Sequence, residues 1–123
     1  MSQDIFEDIL MFFFRHQIRI KMYHFQTGLY GAHKASDSYL DTFEQKLDKF
    51  MEVAQGIVGK LQTKNINLNI ITVNDGTILE ELNNFIKTLR MLDKVINTYS
   101  ELLNIRDEMV ADAEQLKYLL TFK

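Results

Sequence analysis

The sequence contains no cysteine, no proline and no tryptophan, and only five glycines among its 123 residues. Without cysteine the chain can form neither disulfides nor thiolate metal sites, and it has no cysteine nucleophile. Any metal must therefore be held by histidine and carboxylate side chains, a ligand set that suits iron, manganese or zinc. The scarcity of residues that interrupt helices favours long helices over strands and turns.

The sequence also has fewer basic than acidic residues. The formal net charge is −3, and the first eight residues, MSQDIFED, include no basic side chain. Nucleic-acid binding needs clustered lysine and arginine, so we expect no nucleic-acid partner. The apolar run from Ile9 to Phe14 is too short to cross a membrane, and it lacks the basic flank and cleavage site of a signal peptide. We therefore expect a soluble, cytoplasmic protein with no membrane partner.

The length suits a single domain over residues 1–123 with a core of its own. Apolar residues at helical spacing predict a first helix over residues 3–27, capped by Ser2 or Asp4. Gly28 and Gly31 then break the helix, and a second helix is predicted from about Ala32 to Gln62. The apolar surface of the first helix is broad enough to contact both the core and a partner subunit. His16 lies within that apolar helix and is interpreted as structural.

Residues 63–75 have the least helical character, because polar residues alternate there with Ile66, Leu68, Ile70, Ile71 and Val73. The alternation is compatible with a short strand. We favour an ordered crossover packed by its apolar side chains, since no second strand is available for pairing. Asn74-Asp75-Gly76 then predicts a turn.

A capping box, Thr77-Ile78-Leu79-Glu80, predicts the start of a third helix that continues to about residue 99. Residues 100–103 are interpreted as a tight connection, with a fourth helix starting at Asn104. The alternative is that the third and fourth helices form one bent helix. Four amphipathic helices with a long connection between the second and third predict a four-helix bundle with one crossover.

One face of the second helix is acidic. At about 100° per residue, six side chains fall within an arc of roughly 100°: His33, Asp37, Asp41, Glu44, Asp48 and Glu52. The adjoining arc is apolar and must face the core: Leu40, Phe43, Leu47, Phe50, Met51 and Ala54. Like charges at this spacing destabilise a helix by roughly 0.2–0.5 kcal/mol per pair, so a bound cation would relieve repulsion. A solvated acidic face explains the same pattern, and the residues alone leave both interpretations open.

The spacing His33, Asp37, Asp48 and Glu52 resembles the second-helix signature of the Dps-type miniferritins. In that family another histidine ends the first helix before a glycine-containing loop. His24 takes that place here, followed by Phe25 where the family usually has tryptophan. The interval from His24 to His33 is about three residues shorter than in the family, and the basic N-terminal tail of some members is absent.

The resemblance implies a ferritin-like four-helix bundle that oxidises Fe(II) with peroxide or oxygen at a two-fold dimer interface. It implies a homo-oligomer, at least a dimer and in the family a cage, that stores the ferric product. One subunit would supply His24, His33 and Asp37, and its partner Asp48 and Glu52. These ligands to iron, or to zinc or manganese in its place, would be the whole active site, with no separate catalytic residue. The alternative is a ferritin-like bundle with a structural or interaction role and no catalysis.

A di-iron site inside one bundle would need Glu-x-x-His motifs on two helices. The sequence contains no such motif, and all three histidines lie within its first 33 residues. Iron chemistry is therefore expected between subunits. The chain also lacks the glycine-rich phosphate loop, G-x-S-x-G and H-E-x-x-H motifs of nucleotide-binding proteins and hydrolases.

Overall fold

The computed structural model describes residues 2–62 and 64–123. Within them every regular element is a helix, so the predicted all-α class is confirmed. The helices are α1 (Gln3–Gln26), α2 (Tyr30–Val58), α3 (Ile78–Met91), the single turn α4 (Asp93–Ile96) and α5 (Ser100–Leu119). Along the described residues no helix combines the length and the apolar character that a membrane span requires.

The four long helices form a bundle in which each packs against two others. α1 contacts α2 and α3, and α5 contacts the same two helices from the opposite side. Aromatic rings fill the centre: the ring of Phe13 meets that of Phe50 edge-on, with centroids 5.1 Å apart. All six residues predicted for the inner face of α2 are buried. The helical period therefore places this core correctly.

The long connection between α2 and α3 runs along the bundle. At one end the Gln3 side chain donates to the carbonyls of Val58 and Lys60, which ties the start of α1 to the end of α2. At the other end Asp75 bonds to Thr27 in the α1–α2 turn. The connection thus returns the chain to the end of the bundle where α2 began, and α3 runs parallel to α2.

The crossover has no regular secondary structure over its described residues 64–75, which agrees with the favoured interpretation. Thr63, its first predicted residue, lies outside the described residues. The predicted apolar packing is only partly correct. Val73 is buried, Leu68 and Ile70 are half-buried, and Ile66 and Ile71 are exposed. An alternating segment on a surface can turn only part of its apolar side chains inward.

Two predicted boundaries of α2 were wrong. The helix starts at Tyr30, so Gly31 lies in its first turn, and it ends at Val58 rather than at Gln62. Gly59 has φ +90°, a left-handed conformation that ends helices and favours glycine. Its N–H still donates to the carbonyl of Gln55, which closes the last turn. By contrast the cap at Ser2 is confirmed, because its hydroxyl accepts from the Ile5 N–H.

The capping box predicted at the start of α3 does not form. Thr77 has φ −119° and ψ −4°, whereas a capping residue needs extended backbone for its hydroxyl to reach back into the helix. That hydroxyl accepts instead from the Asn74 N–H, at 3.0 Å. The turn itself is confirmed, since the Asn74 side chain accepts from the Gly76 N–H at 2.8 Å.

The third and fourth long helices are separated earlier than predicted, because α3 ends at Met91 and α5 begins at Ser100 rather than at Asn104. The buried guanidinium of Arg106 explains the break. It donates to the Leu89 carbonyl at 2.8 Å and bonds to Asp93 and Asp107. Burial lowers the pKa of Arg106, but the bonds to the two carboxylates outweigh burial and hold it above its usual value.

Candidate metal site

The α1–α2 turn is fastened to the end of the crossover by one carboxylate. Asp75 accepts from the Tyr23 hydroxyl at 2.9 Å, the Thr27 hydroxyl at 2.6 Å and the Gly28 N–H at 3.2 Å. The Thr27 bond contributes most to lowering the pKa of Asp75 below its usual value, and the Gly28 and Tyr23 bonds act in the same direction. The carboxylate therefore fixes a turn of three residues, with His24 on one side and His33 on the other.

The imidazoles of His24 and His33 are stacked, with centroids 3.9 Å apart and planes 17° from parallel. Nδ1 of His24 lies 2.9 Å from the His33 carbonyl, and Nδ1 of His33 lies 2.8 Å from the His24 carbonyl. A carbonyl oxygen can only accept, so each Nδ1 carries a proton. In the neutral rings both Nε2 atoms then hold a lone pair. The short loop brings the two predicted ligands together.

Asp37 is the third predicted ligand near this pair. One of its carboxylate oxygens lies 3.9 Å from Nε2 of His24, on the side that carries the lone pair. The carboxylate is 57% exposed, whereas the His24 side chain is buried. Even so, among the described residues no three histidine, aspartate or glutamate side chains are grouped closely enough to hold a metal ion within one chain.

Asp48 and Glu52, the remaining predicted ligands, lie far from this group. Asp48 follows His33 by 15 residues on the same helix, which is about 22 Å along the axis at 1.5 Å per residue. Both side chains are exposed, as are those of Asp41 and Glu44 between them. One chain therefore presents two separate half-sets of donors, one around the α1–α2 turn and the other farther along α2.

A buried polar network that the sequence did not reveal lies at the centre of the bundle. His16 is 1% exposed, its Nδ1 is 2.8 Å from a Glu81 oxygen, and its Nε2 is 2.7 Å from the Tyr39 hydroxyl. Arg19 donates to the other Glu81 oxygen at 3.2 Å. Burial lowers the pKa of His16, although the Glu81 carboxylate opposes this. The neutral ring thus donates through Nδ1 to Glu81 and accepts from Tyr39, which links α1, α2 and α3.

The predicted structural role for His16 agrees with these contacts. The sequence offered no signal for its partners, because Tyr39 and Glu81 lie 23 and 65 residues away. The network borders a cleft of about 280 Å³ between α1, the crossover and α3. Both ring nitrogens of His16 are occupied, so it has none free for a ligand in that cleft.

Comparison with known proteins gives one positive result. No curated protein and no solved structure matches the chain significantly. A family model described as "Family of unknown function (DUF5856)" matches residues 24–120. The matched segment runs from His24 to one residue past the end of α5 and includes every residue of the candidate site. The chain therefore belongs to the DUF5856 family.

Proposed function

We propose that this protein is a Dps-like iron-binding protein that oxidises Fe(II) between two subunits and stores the ferric product. The observation that carries the proposal is the stacked pair of His24 and His33, each fixed by an N–H bond to the other's carbonyl. Histidine ligands in metal sites almost always donate their second ring nitrogen to a carbonyl, a carboxylate or water, which fixes the tautomer and orients the ring. The rings of His24 and His33 have this arrangement, since each Nδ1 donates to a backbone carbonyl.

The chain direction also supports a ferritin-like bundle. α1 and α2 are joined by a short turn, a long crossover leads to α3, and α3 runs parallel to α2. Ferritin-like folds are four-helix bundles with one such crossover. In the family that the sequence resembles, the iron site forms across a two-fold dimer interface of this bundle.

The separation of the donors favours a shared site. His24, His33 and Asp37 lie at the start of α2, and Asp48 and Glu52 lie toward its other end. A two-fold axis that pairs two α2 helices in opposite directions would bring each half-set opposite the complementary half-set. Each dimer would then contain two equivalent sites.

Fe(II) is the substrate of this site, with Zn(II) or Mn(II) able to take its place, and the donors suit the reaction. Imidazole nitrogens suit the ferrous ion, while hard carboxylate oxygens favour the ferric product and lower the barrier to electron loss. The oxidant would be peroxide or oxygen, as the resemblance implies.

A second function is favoured by a different observation. The acidic side chains of α2 are exposed, and the described part of one chain gathers no complete set of metal ligands. These features suit a helical-bundle protein that forms the dimer but has a structural or interaction role without catalysis. The two functions differ in whether Fe(II) is consumed.

An aerobic Fe(II) titration followed by absorbance distinguishes them. We expect the protein to oxidise Fe(II) faster than buffer alone, and His33→Ala and Asp37→Asn to lose that rate. Asp41→Asn is the matched control, because it removes a charge from the same helical face without removing a proposed ligand. A wild-type rate equal to that of buffer, or equal losses in all three variants, would contradict the metal site.

A further inference from the structure

We propose that Tyr39 is a redox-active tyrosine, which gives one electron to a one-electron oxidant such as an oxygen-centred radical while its phenolic proton passes to His16. The inference starts from the contact between the Tyr39 hydroxyl and Nε2 of His16, at 2.7 Å. It concerns the centre of the bundle and uses none of the proposed metal ligands.

The proton acceptor makes one-electron oxidation of Tyr39 energetically easier. A phenol that has lost an electron is a very strong acid, so oxidation is far easier when a base stands ready to take the proton. Nδ1 of His16 donates to Glu81, which leaves the Nε2 lone pair directed at the Tyr39 hydroxyl. Burial lowers the pKa of His16 below its usual value, so the ring is neutral at rest and Nε2 carries no proton of its own.

The step balances within the protein and the oxidant. The Oη–H bond of Tyr39 breaks, an N–H bond forms at Nε2 of His16, and one electron passes to the oxidant. The products are a neutral phenoxyl radical, an imidazolium ion and the oxidant reduced by one electron. When an electron returns, the proton moves back to the phenolic oxygen.

The neighbours of His16 stabilise the state in which it is protonated. The Glu81 carboxylate is 2.8 Å from Nδ1, so the new imidazolium would form a charge-assisted bond with it. Arg19 holds the other oxygen of that carboxylate and keeps it in place. The positive charge therefore has a partner within the bundle.

Burial and the hydrogen-bond partner together distinguish Tyr39 from the other four tyrosines, of which Tyr99 is half-buried. Tyr39 is 5% exposed, whereas Tyr30 and Tyr118 are 74% and 62% exposed. Tyr23 is also buried, but it bonds to Asp75, a carboxylate that accepts from three donors and is intrinsically a weaker base than imidazole. With no tryptophan or cysteine in the chain, no more easily oxidised side chain competes.

An oxidant could arise close by. Tyr39 follows His33 by six residues on α2, which is about 9 Å along the helix axis. If the proposed iron oxidation takes place with peroxide, an oxygen-centred radical released at that site would lie within electron-transfer range of Tyr39. This source of oxidant rests on the proposed function, whereas the chemistry of Tyr39 and His16 does not.

The test uses the full chain without iron, so that it is independent of the metal site. A photogenerated ruthenium(III) polypyridyl complex serves as the outer-sphere oxidant, and the radical is followed by transient absorption and electron paramagnetic resonance. We expect a phenoxyl radical that forms more slowly in D₂O than in H₂O. Tyr39→Phe should lose this signal, while Tyr30→Phe, Tyr118→Phe and Tyr23→Phe should retain it.

His16→Gln is the matched variant for the proton acceptor. A glutamine can accept from Tyr39 and donate to Glu81, which preserves both hydrogen bonds, but its amide cannot take up a proton. We expect a folded protein that loses the buried radical. If this variant does not fold, Glu81→Gln replaces it and should slow radical formation. A signal that survives in Tyr39→Phe, disappears in Tyr23→Phe instead, or is unchanged in both acceptor variants would overturn the proposal.

Discussion

His16 joins three helices through a single side chain. Its ring bonds to Tyr39 on α2 and Glu81 on α3, and it stacks on Phe85 with centroids 3.5 Å apart. Every polar atom of the ring has a partner, so the network adds directional bonds to an otherwise apolar core. The sequence showed the apolar surroundings of His16 but not these bonds, because partners distant along the chain have no fixed spacing.

His16 should make the stability of the protein depend on pH. Its folded-state pKa lies below the ordinary value of 6.5, so between these two values the unfolded chain binds more protons. The free energy of unfolding should therefore fall as pH decreases from about 6.5 toward the folded-state pKa, by up to about 1.4 kcal/mol per pH unit. Urea denaturation at a series of pH values measures this slope.

The control for this prediction is His16→Gln, which cannot titrate. Carboxylates contribute the same acid dependence to both proteins, so the difference between the two slopes isolates His16. Parallel stability curves for wild type and variant over that interval would show that His16 has the same pKa in the folded and unfolded chain.

Among the helices of this bundle, the apolar faces were easier to predict from the sequence than the residues at which the helices end. Apolar spacing predicted α1 to within one residue and placed the inner face of α2, since both depend on a repeat that local sequence carries. The ends of α2 and α3 are instead determined by individual residues. One is Gly59 with its left-handed backbone, and the other is Arg106, which reaches the Leu89 carbonyl 17 residues away.

Arg106 should accordingly stabilise the corner between α3 and α5. Arg106→Ala removes the guanidinium donor from the Leu89 carbonyl, which keeps its bond from the Leu92 N–H. A hydrogen bond to a charged group contributes about 1.5–3 kcal/mol, so we expect a loss of stability of that order. Arg90→Ala removes an exposed arginine from the same region and should have little effect. Urea denaturation of both variants measures the two changes in the free energy of unfolding. Equal losses would show that the buried contacts of Arg106 do not stabilise the corner.

Two substitutions on the acidic face of α2 test whether that face binds metal. Without metal, Asp48→Asn with Glu52→Gln should be neutral or slightly stabilising, because it relieves like-charge repulsion along the helix. With Zn(II) or Fe(II) at ~100 times the dissociation constant, binding should stabilise the wild type by about 2.7 kcal/mol per site. The double variant should lose that gain, as measured by thermal melting with and without metal. If metal raised the melting temperature equally in both proteins, Asp48 and Glu52 would not be metal ligands and the face would be an ordinary solvent-exposed one.

At the scale of the whole molecule, the structure stacks the rings of His24 and His33 and places one Asp37 oxygen 3.9 Å from His24, while the metal site itself stays a prediction. His24 and His33 come together because a three-residue turn and the Asp75 carboxylate fix the start of α2. Asp48 and Glu52 remain apart from them by helix geometry alone. A complete site would form only if two chains associate so that one half-set faces the other. The apolar pattern of a single chain predicts its own core but not the geometry of such a dimer.

The protein should therefore be at least a dimer at micromolar concentration. Ile18 and Phe25 are exposed on α1, and Ile18 lines a cleft of about 300 Å³ together with Asp37, Asp41 and Glu44. Light scattering should give a mass of at least twice 14.5 kDa. Ile18→Glu adds a negative charge beside those carboxylates and should shift the protein toward the monomer. A wild-type monomer would exclude the shared site.

Mixing two inactive variants tests how the site is shared. One variant carries His33→Ala and Asp37→Asn, the other Asp48→Asn and Glu52→Gln, and each alone should fail to oxidise Fe(II) because every site in its homodimer is broken. In a heterodimer all four changes fall in one site, and the other site is intact. With random pairing half of the dimers are heterodimers, so a two-fold interface predicts recovery of about a quarter of the wild-type rate. Aerobic Fe(II) oxidation by co-folded mixtures measures this recovery. If heterodimers form and the rate stays at that of buffer, the two half-sets of ligands do not combine across the interface.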